Sequence, residues 1–181
     1  MYSDSSVKRV FDLAGTVPGL IVFGPVAVLI AFLIFAEERK SVFFVQERVG
    51  RRGERFRVLK FRTMTDGKIT RVGSWLRRTG LDELPQYLNI LTGEMSVVGP
   101  RPLTQMDIER LGWQNKTQRW EMKPGLTGLA QVRSGRGAES SLKADLEYFT
   151  KASFGLDIKI ILISFMMNIV GKRRAQRWLG I

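Results

Sequence analysis

LAGTVPGLIVFGPVAVLIAFLIFA, residues 13–36, is the stretch on which the architecture of this chain turns. It runs for 24 residues without a charge. As an α-helix it extends ~36 Å, against a bilayer hydrocarbon core of ~30 Å. The length exceeds that of an ordinary core helix, although a buried helix of a soluble domain is one way to use such a segment. A single membrane span is the simple reading, and two features complicate it. Gly15, Pro18, Gly19, Gly24 and Pro25 interrupt the run. Pro25 has no N–H for the carbonyl of Ile21, and its ring crowds that carbonyl, which predicts a kink. Basic residues also flank both ends, Lys8 and Arg9 before and Arg39 and Lys40 after. Positive flanks favour the cytosolic side, so a helix that enters, bends and leaves on one face satisfies both. From the segment alone, the straight span and the re-entrant helix stand level.

Outward from this stretch, 181 residues suit one compact domain. A net charge of +12 points to an anionic partner: nucleic acid, an anionic membrane surface or a phosphorylated substrate. The absence of cysteine excludes a disulfide framework and a thiolate zinc site, and fits a reducing setting. The apolar stretch is too long for a signal-peptide core and lacks a clear small-residue cleavage site, so no cleavable leader is expected. Ser41–Glu47 and Glu54–Phe61 read as strands around the turn Val49–Gly53, with Phe56 and Val58 inward. Thr65–Lys68 and Pro124–Gly128 read as turns. Val72–Leu76, Leu81–Leu91, Leu103–Met122 and Leu142–Thr150 read as helical. Val98–Pro102 is a rigid loop. Leu156–Val170 is apolar apart from four polar positions. Lys172, Arg173, Arg174, Arg177 and Trp178 follow it, a pattern for a helix in the membrane interface or an ordinary C-terminal core helix. The fold class expected is α+β, mostly helical with a small β-hairpin.

Chemistry concentrates at Leu81-Asp82-Glu83-Leu84-Pro85-Gln86. With no histidine and no cysteine, catalysis falls to Asp, Glu, Ser, Thr, Lys or Tyr. Adjacent carboxylates among many arginines suit one task well: one attacks a phosphoryl group while its neighbour holds a metal. The alternative is an exposed acidic pair on a helix. Lys60, Arg62, Arg71, Arg77, Arg78 and Arg101 surround the pair in sequence. Arg101, clamped between Pro100 and Pro102, is pre-organised for bidentate phosphate contact. Lys123, Arg133 and Arg136 are weaker cases of the same kind. Neither a P-loop nor a Gly-x-Gly-x-x-Gly fingerprint occurs, which removes support from ATPase and dinucleotide readings.

Several ordered segments together resemble one family, the monotopic phosphoglycosyl transferases, also called bacterial sugar transferases. They are Lys8-Arg9-Val10-Phe11-Asp12, Gly24-Pro25, Phe44-Val45-Gln46-Glu47-Arg48, Lys60-Phe61-Arg62-Thr63-Met64, Leu81-Asp82-Glu83-Leu84, the run from Gly93 through Pro102, Lys123-Pro124-Gly125-Leu126-Thr127-Gly128 and Ala130-Gln131-Val132. The chain looks like the minimal catalytic unit of that family. The resemblance implies a monotopic protein of the bacterial inner membrane. Residues 1–38 would form a re-entrant helix broken at Gly24 and Pro25. Residues 39–181 would form a cytosolic-face catalytic domain with interfacial amphipathic helices, the C-terminal one included. It implies transfer of a sugar phosphate from a nucleotide diphosphate sugar, usually UDP-linked, to polyprenol phosphate, as the first membrane step of glycoconjugate assembly.

By the same resemblance, Asp82 matches the nucleophile and Glu83 its partner carboxylate, the two linked to Mg²⁺. Lys60, Arg62, Arg77 and Arg101 match basic positions near the substrate phosphates. Lys123, Thr127, Gln131, Arg133, Arg136, Asp145 and Tyr148 complete the expected substrate site. Membrane lipid and downstream glycosyltransferases are the implied neighbours, and nucleic acid is not expected. The chain departs from the family pattern where Gly24 replaces the usual Ser before Pro25, Val49 a Pro, Lys123 an Arg and Leu129 a Trp. The class competing with an enzyme is a basic membrane-associated binding module. Phosphate binding alone gives that module no reason for an Asp-Glu pair.

Overall fold

The computed structural model describes residues 2–133, 137–171 and 174–175. Helices dominate, and three two-stranded sheets sit among them within the described residues, the mostly helical α+β class that the sequence predicts.

Helix α1 (Ser6–Glu38) opens the fold. The Ser5 hydroxyl accepts from the Lys8 N–H at 3.1 Å at its start, and left-handed Arg39 ends it. It remains one helix through Pro18 and Pro25, so the break expected at Gly24-Pro25 does not end the helix. A proline removes one hydrogen bond and crowds one carbonyl. Pro25 is exposed, and the packing of Ile30 and Ile34, roughly one and a half to two and a half turns further on, holds the helical path.

One face of α1 lies on the body along most of its length. Lys8, Asp12 and Thr16 are buried near its start and Ile30 and Ile34 near its end, and Gly19 between them backs onto the Tyr87 ring. The start is held by charge. Lys8 Nζ bridges Asp12 Oδ1 at 3.0 Å and Asp157 Oδ2 at 2.8 Å, all three side chains at most 4% exposed. Asp12 also accepts from the Ser96 hydroxyl and the Val97 N–H, and Asp157 from the Tyr148 and Tyr2 hydroxyls. Burial, with Asp157 beside it, pushes the Tyr148 pKa up, so that hydroxyl stays a donor. The far end is held by packing: Ile30 and Ile34 cluster with Phe61 and Leu76, with Leu81 and Leu84 against them.

Strands β1 (Phe43–Val49) and β2 (Arg55–Phe61) pair antiparallel as the sequence predicts, with Phe44 opposite Lys60 and Gln46 opposite Val58. Phe56 and Val58 point inward, as expected. The free edge of β2 is not left open. The Asn89 side chain accepts from the Leu59 N–H at 3.1 Å and donates to the Arg57 carbonyl at 2.8 Å, standing in for a third strand. The turn predicted at Thr65–Lys68 joins β3 (Met64–Thr65) to β4 (Lys68–Ile69), with Asp66 and Gly67 both left-handed.

Helix α2 (Arg71–Thr79) follows, then a 3-10 turn (Leu81–Glu83) and helix α3 (Gln86–Thr92). The single helix expected over Leu81–Leu91 is divided because Pro85, with no N–H to donate, sits at the N-cap of α3. Strand β5 (Ser96–Val98) leads to helices α4 (Gln105–Leu111) and α5 (Thr117–Trp120). The turn expected at Pro124–Gly128 is instead strand β6 (Gly125–Thr127), parallel to β5. Side chains at Gly99, Gly125 or Gly128 would overlap neighbouring backbone, so glycine alone permits this crossing.

Helices α6 (Leu129–Val132), α7 (Ala138–Lys151) and α8 (Phe154–Val170) close the main core, with Val132, Tyr148 and Ile160 buried together. α8 buries Asp157, Ile160 and Ile163, while Phe154, Ile158, Leu162, Phe165 and Ile169 stay exposed. Phe154 meets Phe11 edge to face at 5.3 Å, which joins the outer apolar surfaces of α8 and α1. Of the basic tail, Lys172, Arg173, Arg177 and Trp178 lie outside the described residues.

Candidate active site

Gly80 adopts a left-handed conformation (φ 73°) that ends α2 and turns the chain sharply into Leu81–Glu83. Leu81 and Leu84 pack inward on the Ile30–Ile34 cluster. Asp82 and Glu83 are thereby presented to a cleft of about 520 Å³. Five cations line the same cleft: Arg48, Lys60, Arg62, Arg77 and Arg101. Separate constraints place the hairpin cations, Arg77 and Arg101. Lys60 and Arg48 share one face of the β-hairpin, since Phe44 lies opposite Lys60 and Arg48 opposite Phe56. Arg77 Nε donates to the Thr63 hydroxyl at 2.9 Å. One turn earlier on α2, Gly73 lies so close to the Thr63 backbone that a β-carbon would overlap the Thr63 carbonyl. The N-terminus of α2 is capped by the end of α1, where both oxygens of Glu37 accept, from Arg71 N at 3.0 Å and Val72 N at 3.1 Å.

Arg101 is placed through its backbone. Its carbonyl accepts from Arg119 Nη2 at 2.7 Å. Arg119 is buried, pairs with Asp145 at 2.9 Å and lies over the Trp113 and Trp120 rings at 5.3 and 4.7 Å.

The electrostatics fit an anionic substrate. Lys60 Nζ meets Glu83 Oε1 at 2.6 Å. Burial pushes the Asp82 pKa up and Glu83 adds to that, while Lys60 and Arg77 oppose it. Burial lowers the Arg48 pKa, and the Arg101 charge lowers it further. Two guanidiniums that destabilise one another across a cleft gain when an anion lies between them.

Of the residues expected from sequence, the structure brings together Asp82, Glu83, Lys60, Arg62, Arg77 and Arg101. Gln131 lines a smaller pocket that adjoins them. The others are elsewhere. Lys123 lines a separate cavity of about 270 Å³ with Arg51, Arg52 and Arg55, and burial followed by the Arg9 charge lowers its pKa. The Thr127 hydroxyl bonds Ser164 on α8. Arg133 pairs with Glu147 on α7. Asp145 and Tyr148 serve the frame: Asp145 holds Arg119, while Tyr148 donates to Asp157 and to the Val98 carbonyl. Gly24 and Pro25 lie within α1, and Arg136 lies outside the described residues. Sequence reasoning placed Gln46, Arg48 and Thr63 in segments that match the family but gave them no place in the site. Strand alternation was the signal for the first two, because Phe44, Gln46 and Arg48 must share the face of Lys60.

The donor set also bears on a metal. Among the described residues no group of three or more His, Cys, Asp or Glu side chains forms a cation cage. Two carboxylates facing a basic cleft fit Mg²⁺, which takes one or two carboxylates and fills its remaining positions with water and substrate phosphate.

A basic cleft holding one acidic pair at its wall has the charge pattern that suits phosphoryl groups. The bacterial sugar transferase profile matches residues 3–171. An undecaprenyl-phosphate glucose phosphotransferase of Komagataeibacter xylinus is 36% identical over 93% of this chain and 37% of its own length. A UDP-glucose:undecaprenyl-phosphate glucose-1-phosphate transferase of Escherichia coli (strain K12) is 35% identical over 92% of this chain and 41% of its own. This chain therefore spans about two-fifths of those longer relatives. The sugar transferase EpsL of Bacillus subtilis (strain 168), described as uncharacterized, is 38% identical over 92% of this chain and 89% of its own length. By the profile and by full-length similarity, the chain belongs to the bacterial sugar transferase family.

Proposed function

We propose that this protein transfers a sugar 1-phosphate from a UDP-sugar to polyprenol phosphate, giving a polyprenyl diphosphate sugar and UMP. The observation that carries the reading is the placement of Asp82 and Glu83 on a short turn in a cleft otherwise lined by cations. The names of the longer relatives support the substrate pair.

In this reading an Asp82 carboxylate oxygen attacks the β-phosphorus. The bond from that phosphorus to the bridging oxygen breaks, and UMP leaves with the electron pair. A phosphate oxygen of polyprenol phosphate then attacks the aspartyl phosphosugar, which returns Asp82 as a carboxylate. Lys60, Arg62, Arg77, Arg48 and Arg101 surround the phosphoryl oxygens where charge builds. Glu83, with Asp82, would hold Mg²⁺, which when bound supplies Lewis-acid stabilisation of the phosphates.

The exposed apolar surfaces of α1 and α8 would face the lipid of the bacterial inner membrane on its cytosolic side. A helix that docks on the body near both its start and its end supports membrane entry from one face over a straight span.

Intact-protein mass tests the chemistry. Detergent-solubilised protein with Mg²⁺ and a UDP-sugar, without lipid acceptor, is expected to gain one sugar-phosphate mass on Asp82 and release about one UMP. Turnover that needs the acceptor and never shows an adduct would replace the two-step route by direct transfer.

Acidity gives a second test. Because burial raises the Asp82 pKa, the acid limb of kcat/KM is expected above the ordinary aspartate value of about 3.9. Lys60→Met removes a charge that opposes the shift and should move the limb further up. An unmoved limb would exclude Asp82 as the titrating nucleophile. A third test concerns α2. Gly73→Ala must push the helix off Thr63 and carry Arg77 with it, so kcat/KM is expected to fall ~10–100-fold in UMP-release assays. The fold should lose about 1–3 kcal/mol.

A further inference from the structure

Lys123 belongs to a second basic site. Its cavity of about 270 Å³ opens at the turn of the β-hairpin and shares no lining residue with the catalytic cleft. Arg51, Arg52, Arg55 and Lys123 line it, against Glu54 and Glu94. Arg9 lies beside them: a β-carbon on Gly93 would stand 3.6 Å from Lys123 Nζ and 3.7 Å from Arg9 Nη2. Arg9 donates to the Ile90 and Leu91 carbonyls at the end of α3. Lys123 has no hydrogen bond or ion pair among the described residues. Burial, and then the Arg9 charge, press its ammonium towards the neutral form.

Asp4, in the turn before α1, shows what these cations take. Both its oxygens accept from Arg51. That bond holds its pKa below the ordinary range against burial, and the Arg51, Arg52 and Lys123 charges add to it. One carboxylate is therefore within electrostatic reach of three cations, and it does not balance them. Asp4 and the partners of Arg52 and Arg55, Glu121 and Glu47, are 48–59% exposed, and exposed pairs are weak and exchangeable. Size and place point to the missing anion. A phosphate group fills roughly two to three water volumes of ~30 Å³, and its oxygens can be shared between an ammonium and several guanidinium N–H groups. Arg9 lies one turn before Leu13, where the uncharged run of α1 begins. Val7 and Val10 on the same turns are exposed. The cavity thus sits at the foot of the apolar helix, where headgroup phosphates would lie.

We propose that Lys123, with Arg51 and Arg52 at the rim, forms a second phosphate-binding site distinct from the catalytic cleft. The phosphate belongs to an anionic lipid headgroup or comes free from solution. The position of the cavity favours the lipid, and that preference rests on the membrane reading of α1.

The melting temperature of the whole protein in nonionic detergent reads binding. The probes are dihexanoylphosphatidylglycerol, dihexanoylphosphatidylcholine and inorganic phosphate, at matched ionic strength. Phosphatidylglycerol at tenfold its Kd is expected to raise the native melting temperature by about 3–6 °C. Lys123→Met is expected to weaken that Kd ~10-fold or more, and Lys123→Arg to hold or improve it. Asp4→Asn frees Arg51 from a competing anion and is expected to tighten the Kd ~2–5-fold. Without ligand, Lys123→Met should melt no lower than native, because its charge is held at a cost. If it does melt lower, Asp4→Asn decides, and an unchanged Kd there overturns the proposal. Arg101→Ala alters the catalytic cleft and should leave the shift in place. A shift with phosphatidylglycerol and none with inorganic phosphate assigns the lipid; equal shifts with both assign free phosphate. No shift with any probe, equal shifts from the two lipids, equal shifts in native and Lys123→Met, or a shift abolished by Arg101→Ala overturns the proposal. None of these measurements uses UMP release, so the site and the transferase reading stand or fall separately.

Discussion

Asp82→Asn is expected to abolish sugar-phosphate transfer while leaving the protein at least as stable as before. Removing a covalent nucleophile costs on the order of 10⁴–10⁶ in kcat, because the amide cannot form the acyl phosphate whatever the rest of the cleft contributes. The stability half follows from linkage. The folded pKa of Asp82 lies above its unfolded value, first by burial and then by Glu83. The folded state therefore binds the proton more tightly than the unfolded chain, and stability falls as pH rises through the raised pKa. Above that raised pKa the native carboxylate is ionised at a cost, which the neutral amide avoids. Kinetics and thermal denaturation in detergent, run on the same sample, check both halves. Residual turnover above ~1% of native would remove Asp82 from the covalent step. A fall in melting temperature would show that its charge is compensated in the fold.

The largest structural effect is expected at Lys8→Met. Among the described residues Lys8 is the one cation paired with both Asp12 and Asp157, and both carboxylates are almost fully buried. Breaking a buried ion pair by removing one partner costs about 3–5 kcal/mol, since a charge is left in low dielectric without its counter-ion. For a chain of this size that corresponds to a fall in melting temperature of roughly 6–20 °C. Neutralising the whole cluster, with Asp12→Leu and Asp157→Leu added, should recover only part of the loss. Those carboxylates also accept from Ser96, Val97, Tyr2 and Tyr148; the Ser96 and Tyr148 hydroxyls keep the Val98 carbonyl as acceptor, whereas the Val97 N–H and the Tyr2 hydroxyl lose theirs. A Lys8→Met protein melting within about 2 °C of native would show that α1 is held by its apolar end alone.

Legibility in the sequence followed the range of the interaction. The β-hairpin, α2 and the acidic pair were readable because alternation, caps and adjacency are local. Strand β6 was not. Three residues, Gly125–Thr127, carry no period of their own, and only pairing with Ser96–Val98 far back in the chain makes them a strand. Leu84, Leu88 and Leu91 have helical spacing, yet Leu88 and Leu91 are exposed and only Leu84 packs on the Ile30–Ile34 cluster. Asp145 illustrates the limit for site residues. Its match to a later acidic position placed it near substrate, whereas its contact is Arg119, which in turn fixes the Arg101 backbone. A residue two contacts from the cleft and one inside it look alike until the intervening arginine is located.

The ionic anchor of α1 also sets an order of events in time. Asp157 is synthesised roughly 150 residues after Lys8, and Ser96 about 90 after it. At ~5–20 residues per second the lysine waits about 7–30 s for its second carboxylate. Helix formation takes about a microsecond. The apolar helix is therefore complete long before the surface that docks it has left the ribosome, so each new molecule carries an undocked helix for seconds before it acquires the body that covers one of its faces.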